Sequence, residues 1–278
     1  MVELTDFERE KYKRQIQIEG FGQDGQRKLK GSSVLVTRAG GLGGPTCFAL
    51  ASAGVGRLVV AHGGKLTPSN LNRQILMRGD SIGQPRAPQA RETLLRYNPD
   101  MEVIAYDANV TDDNVAEWVS QVDVVCATTP VFEEHFILNR ECWRQGKPLI
   151  HSGMNGMEAQ LTTIIPPLTP CVECLVPEVP DWWHWQGFGV LAATPASLGS
   201  LVALEAIKIL TGFGQPLAGR LLAYDTEDMT FATYNIARRE GCPVCGGARR
   251  GDFTAAAGLW GEEGSVLDGW EAGEDVSV

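Results

Sequence analysis

Two cysteine pairs, Cys171-Val172-Glu173-Cys174 and Cys242-Pro243-Val244-Cys245, stand about 70 residues apart in this chain of 278 residues. The two-residue spacing within each pair lets both thiolates reach one tetrahedral metal ion, and two such pairs make a closed four-thiolate zinc site. A single pair would leave a redox dithiol open; two pairs, each beside Pro or Gly turn residues, point to structural zinc. A closed site has no open coordination position, so this zinc holds structure and performs no chemistry. Upstream lies a second candidate, Arg38-Ala39-Gly40-Gly41-Leu42-Gly43-Gly44, a glycine-rich turn of the kind that brings backbone N–H groups against a phosphate.

That turn needs a strand before it and a helix after it. Ser33-Val34-Leu35-Val36 supplies the apolar strand and Pro45 to Ala53 the helix, which together open a nucleotide-binding βαβ unit. Leu58 to Ala61 reads as the next strand and Pro85 to Tyr97 as a helix. Strands follow at Glu102 to Tyr106, Val122 to Ala127 and Pro148 to His151, with helices at Asp113 to Ser120 and Val131 to Gln145. The alternation predicts a doubly wound, Rossmann-like α/β fold whose mostly parallel sheet is covered on both faces. Beyond Gly153 the pattern changes: a strand from Ala159 to Ile165, an apolar helix from Ala196 to Leu210, and a hairpin of Leu221 to Tyr224 and Thr230 to Asn235 that leads into the second cysteine pair. We therefore expect a helical N-terminal arm (1–30), a Rossmann-like nucleotide-binding-type domain (31–165), a β-rich region with the zinc knuckles (166–247) and an acidic tail (248–278). The arm reads as an amphipathic helix from Thr5 to Gln17.

The remaining cysteines Cys47, Cys126 and Cys142 lie in apolar stretches and read as buried small hydrophobes in a reducing compartment. No window shows a secretory signal or an uninterrupted membrane-length apolar run, so the expectation is a cytoplasmic protein with no membrane contact. A formal net charge of −10 argues against nucleic acid as a partner, because phosphate neutralisation needs a basic face. The tail carries no Lys or Arg after Asp252, and its acidic, Gly-rich composition predicts disorder.

In order along the chain, Arg14-Gln15, Gly40-Gly41-Leu42-Gly43, Ala53-Gly54-Val55-Gly56, Ser69-Asn70-Leu71-Asn72-Arg73-Gln74, Ile82-Gly83, Asn98-Pro99, Glu205-Ala206-Ile207-Lys208 and the two knuckles resemble the MoeB/ThiF/HesA family, with the MoeB pattern nearest. These are bacterial relatives of ubiquitin-activating enzymes. The resemblance runs from about Tyr12 to Gly247. It implies a homodimer that binds ATP and Mg²⁺ and adenylylates the C-terminal glycine of a ubiquitin-like sulfur-carrier protein of the MoaD/ThiS type. It also implies that Arg14 reaches the phosphates in the partner subunit, and that Asn70, Arg73 and Gln74 line the nucleotide site of their own subunit.

Several positions depart from that pattern. Arg38 replaces the first glycine of the turn, where it would either swing out to solvent or fill phosphate space. His62 and Gly64 stand where the family has two acidic residues, the first of which holds the ribose hydroxyls; Arg86 stands for a phosphate-contacting lysine. In Val124-Val125-Cys126-Ala127-Thr128-Thr129-Pro130, Ala127 and Pro130 replace aspartates, and Pro130 occupies the position implied to ligate Mg²⁺. Thr129 and Pro130 would therefore border a pocket in which Arg38, His62 and Arg86 form a cationic lining without carboxylates. The segment from Pro177 to Thr194 holds no cysteine, which removes the crossover-loop thioester many relatives carry. Trp182, Trp183 and Trp185 in that loop are candidates for contact with a carrier tail, or for packing on their own core. His135 and His151 lie on a helix and a strand end, and only His62 is expected beside the cleft.

Three functions follow. The first is a non-canonical family member that docks a carrier tail but adenylylates it poorly or not at all. The second is an active adenylyltransferase serving molybdopterin, tungstopterin or thiamine biosynthesis. The third is a metal-free protein that binds an anionic small molecule or a pterin cofactor.

Overall fold

The computed structural model describes residues 2–179 and 187–247. The expected contacts of Trp182, Trp183 and Trp185 and the expected tail disorder lie outside those residues. The N-terminal arm forms two short helices, α1 (Asp6–Lys11) and α2 (Lys13–Ile16), instead of one. Thr5 and Glu8 cap α1 reciprocally, and the backbone at Tyr12 leaves helical geometry and separates the two. Helix α3 (Gly22–Lys30) follows, an element the sequence reading does not resolve within the arm.

The core begins with β1 (Ser33–Thr37), α4 (Gly43–Ala53), β2 (Arg57–Ala61), α5 (Arg86–Tyr97), β3 (Glu102–Tyr106), α6 (Val115–Ser120), β4 (Val124–Ala127) and α7 (Phe132–Gln145). It continues with β5 (Leu149–Asn155), β6 (Glu158–Ile164), α8 (Val172–Leu175), α9 (Ala193–Thr211), β7 (Arg220–Asp225) and β8 (Thr230–Asn235). All eight strands join one sheet in the order β3-β2-β1-β4-β5-β6-β7-β8. The pairings among β1 to β5 are parallel; β5 to β8 pair antiparallel, so the hairpin extends the Rossmann-like sheet.

Alternation along the strands explains the two helical layers. Val34, Val36, Leu58, Val60, Val124 and Cys126 join the cluster that includes residues of α3, α4, α5 and α9, while Leu35, Val59, Val125 and Ala127 face the cluster of α6, α7 and α8. Cys47, Cys126 and Cys142 are buried in these layers as expected, and burial raises each thiol well above its ordinary value. Helix α9 has the length and composition of a membrane span, but here it packs on α4. Its buried Glu205 accepts from Thr163 Oγ1 and the Leu217 backbone N–H, each at 2.6 Å, and pairs with Lys208.

Several landmark residues are joints. Gln15 and Gln26 both donate to the Ala53 carbonyl, at 3.0 and 2.9 Å, and thereby cap the C-terminal end of α4. Asn98 donates to Ala51 O at 3.0 Å and accepts from Lys11 Nζ at 2.7 Å, which binds α1 to the core.

Candidate functional site

Parallel pairing aligns Ala61, Thr37, Ala127 and His151 in one row across the C-terminal ends of β2, β1, β4 and β5. In an open parallel sheet the loops beyond such a row form the ligand crevice. They do so here: a cavity of about 1200 Å³ is lined by Arg38, Gly40, Gly41 and His62, by Asn70, Arg73, Gln74 and Arg86, and by Thr129 and Pro130. It continues over the antiparallel half of the sheet to Tyr224, Phe231 and Tyr234. Arg14 is exposed on α2, and Gly43 supports the turn from outside the cavity lining.

The glycine turn is tightly built. A Cβ on Gly43 would come within 2.6 Å of both Arg38 O and Thr128 Oγ1, so no larger residue fits there without movement. Arg38 has φ 61°, a left-handed conformation that suits glycine, and it keeps this geometry while carrying a long side chain. That side chain neither swings out nor stands as a free cation. Its guanidinium forms a bidentate ion pair with buried Glu134, with Nε 3.1 and 3.0 Å from the two carboxylate oxygens and a further short contact through Nη2. The expectation of a cationic pocket without carboxylates is therefore corrected: Glu134 of α7 neutralises Arg38 from behind the lining, and Glu158 and Asp225 line the cavity over the antiparallel half of the sheet.

The other cations are also engaged. Arg86 donates through Nη2 to Gly63 O at 2.7 Å and through Nε to Gly64 O at 3.2 Å, clamping the loop after β2. Gly64 has φ 92°, and a Cβ there would meet Arg86 Nη2 at 2.9 Å, so the clamp and the glycine require one another. Arg73 donates to Ser69 O at 2.9 Å and Asn72 Oδ1 at 2.8 Å and lies over Gly41. Asn70 Oδ1 accepts from the Thr67 N–H at 3.0 Å, fixing the short 3₁₀ turn that carries this segment.

Among the described residues, three buried polar atoms on the cavity lining have no partner: Gln74 Oε1, His62 Nδ1 and His151 Nε2. Buried polar groups are seldom left so; atoms of Arg27, Arg57, Arg78 and Gln89 that also lack a hydrogen bond lie away from the cavity, so the orphans alone do not define a ligand surface. Burial, reinforced by Arg86 and Arg38, holds His62 neutral with its pKa lowered to about 3. His135 and His151 also line the cavity, which corrects their exclusion from the cleft. Their Nδ1 atoms lie 3.0 Å apart, and His135 Nε2 is 2.9 Å from Thr129 O. Burial lowers His135 to about 4 and drives His151 well below the ordinary histidine value, the closeness of the two rings further opposing a proton on His151. The missed signal was Glu134-His135 in the first turn of α7, four and five residues after Pro130.

The four knuckle cysteines converge as the spacing predicts. Their sulfurs all lie within 4.8 Å of one another, with Cys171 to Cys242 at 3.5 Å and Cys174 to Cys245 at 3.2 Å. Tetrahedral zinc at about 2.3 Å from each sulfur would set these separations near 3.8 Å, so the donor set fits the ion. Burial raises the Cys171 thiol to about 12 and the Cys245 thiol higher still, whereas at Cys242 burial is outweighed by backbone N–H groups of Cys245 and Val244 and by its cysteine neighbours, which pull the thiol down to about 7, so of these three it is Cys242 that is drawn toward the thiolate a metal requires. The centre grips α7: Asn139 accepts from Val172 N–H at 3.0 Å and donates to Glu173 at 2.7 Å, Arg140 pairs with Glu173, and Trp143 packs on the cysteines.

A sheet that turns from parallel to antiparallel, a glycine turn over its C-terminal edge and paired knuckles behind it together define a family, and the ThiF family model matches residues 12–244. This chain belongs to the ThiF family. It is 48% identical over 246 residues to the vegetative HesA protein of Trichormus variabilis, covering 88% of this chain and 92% of that one. It is 37% identical over 253 residues to the sulfur carrier protein adenylyltransferase of Thermus thermophilus, covering 87% and 92%. The crystal structure of Escherichia coli MccB with MccA-N7isoASN shares the fold, with a TM-score of 0.78 at 22% identity over 86% of this chain and 74% of that one.

Proposed function

We propose that this protein binds the extended C-terminal tail of a ubiquitin-like sulfur-carrier protein in the cavity, and that metal-assisted adenylylation of that tail is impaired or lost. The observation that carries this reading is the set of side chains at the glycine-turn end. Pro130 offers no side-chain ligand, His62 is a buried neutral imidazole, and Glu134 is already paired with Arg38. None of these three positions offers Mg²⁺ a free carboxylate.

Acyl activation asks the protein to neutralise charge as pyrophosphate leaves. Arg73 and Arg86, held by backbone carbonyls, are the cations on the cavity wall for that task; Arg14, exposed on α2, would serve the partner subunit of a homodimer. The cavity itself is large for one small molecule and has room for a peptide tail beside a nucleotide. Exposed Phe231 and Tyr234 on β8 give that tail an apolar margin. A relative named for sulfur-carrier adenylylation supports the partner class. The role of the four cysteines is structural: with zinc bound they would fix α7, whose first turn carries Glu134 and His135.

One observation favours a second reading, an active adenylyltransferase: Asn70, Arg73 and Gln74 keep the family's residue types and line the cavity. Calorimetric titration with ATP, with and without Mg²⁺, separates the two. The preferred reading expects weak binding indifferent to Mg²⁺ and no carrier-dependent ATP–pyrophosphate exchange. Micromolar Mg²⁺-dependent binding with exchange would establish the second.

A further inference from the structure

The hydrogen bonds of His135 and His151 fix where their protons sit. A carbonyl only accepts, so His135 donates from Nε2 to Thr129 O and carries a lone pair on Nδ1. His151 Nδ1 faces that lone pair at 3.0 Å, so His151 must donate from Nδ1. A neutral imidazole has one N–H, which leaves His151 Nε2 as a lone pair. This nitrogen is buried and unpartnered on a residue that is 2% exposed and lines the cavity. The imidazole pair thus leaves one defined, unpartnered acceptor on a residue that lines the cavity over β5.

We propose that His151 Nε2 accepts a hydrogen bond from a neutral N–H of the bound ligand, a backbone amide of the extended carrier tail, with His135 as the residue that sets its tautomer. The choice of the tail rests on the function proposed above. Phosphate and carboxylate oxygens only accept, so at this point they would set lone pair against lone pair. Burial opposes a cationic donor at the same place. An extended peptide, by contrast, offers neutral N–H groups along its length. The strand row sets His151 three strands from Ala61, about 14 Å, so the group it meets is not the one that meets His62. Since burial keeps His151 neutral far below pH 7, it takes hydrogen bonds and is a poor general base.

The chain has four histidines, so ¹⁵N-histidine labelling of the full-length protein gives a simple spectrum. At pH 7 we expect His151 protonated on Nδ1 and bare on Nε2, and His135 the reverse; a proton on His151 Nε2 would overturn the inference, whatever binds. The second readout is titration with a synthetic peptide ending in Gly-Gly. His151→Phe should weaken binding about tenfold, and His151→Gln, whose Oε1 can replace the lone pair, should stay within about threefold of the native protein. Native-like affinity in His151→Phe would also overturn it. If the native protein itself does not bind the peptide while the spectrum is as expected, the carrier-tail reading fails, and with it the peptide donor, but the His151 lone pair stands.

Discussion

Arg38 and Glu134, 96 residues apart, form a bidentate ion pair that joins the glycine turn to the first turn of α7. Removing one partner of a buried pair strands the other charge, which costs about 3 kcal/mol or more, whereas removing both does not. Glu134→Gln should therefore destabilise strongly. Arg38→Gly relieves the left-handed backbone but strands Glu134. The double variant should regain most of the loss, and a urea-denaturation cycle over the four proteins measures the coupling; additive losses would disprove it.

Acid sensitivity follows from the histidines. His62 and His135 have folded pKa values of about 3 and about 4, below the value of about 6.5 for an unfolded chain. Below pH 6.5 the unfolded chain takes up protons that the folded one refuses, so this stability is complete above about pH 7. It declines as pH falls toward 4, by roughly 1.4 kcal/mol per pH unit for each histidine. Denaturation at pH 7.5 and 5.5 checks this, and His62→Gln should flatten the slope by about one proton. An unchanged midpoint across that range would refute the neutral-histidine assignment.

Zinc should be present at one ion per chain by metal analysis. Strong chelation, or Cys171→Ser, should lower the melting temperature and change the near-ultraviolet signal of Trp143, which packs against the cluster. A chain that keeps full stability without metal would show that the four thiols close without an ion.

Pro130→Asp combined with His62→Asp tests whether the cavity has merely lost its carboxylates. If the remaining frame is competent, carrier-dependent ATP–pyrophosphate exchange should rise at least tenfold above the native level. Continued inactivity would mean that Arg38 and Glu134 have remodelled the turn beyond repair by two residues, and adding Arg38→Gly together with Glu134→Gln, which removes both partners of the pair, should then restore exchange.

The fold was largely legible because its signals are local. β3 and β8 fall where apolar alternation puts them, and the glycine turn announces β1 and α4. Misreadings have local causes too. Helix α9 starts three residues early because Pro195 lies within its first turn, where proline is tolerated, rather than marking its boundary. Strand β5 runs past His151 because it forms a hairpin with β6. Helix α3 is obscured by Gly22 and Gly25. The site was less legible. Asn70, Arg73 and Gln74 sit in one motif, but the partners Arg38–Glu134 and His135–His151 come from separate elements, and only the packing of α7 against the sheet brings them together. Charge counting along the sequence made the pocket cationic because it could not see that α7 delivers a carboxylate to the turn.

The aligned strand ends also bear on how such a protein diverges. Arg38, His62 and Pro130 lie just beyond the ladder that pairs Thr37, Ala61 and Ala127, so exchanging these side chains leaves every strand pairing untouched. A lineage can rewrite its reaction at this edge by single substitutions while inheriting the sheet whole. Overall similarity to relatives is then a record of the sheet, and the few residues past its edge are the record of the chemistry.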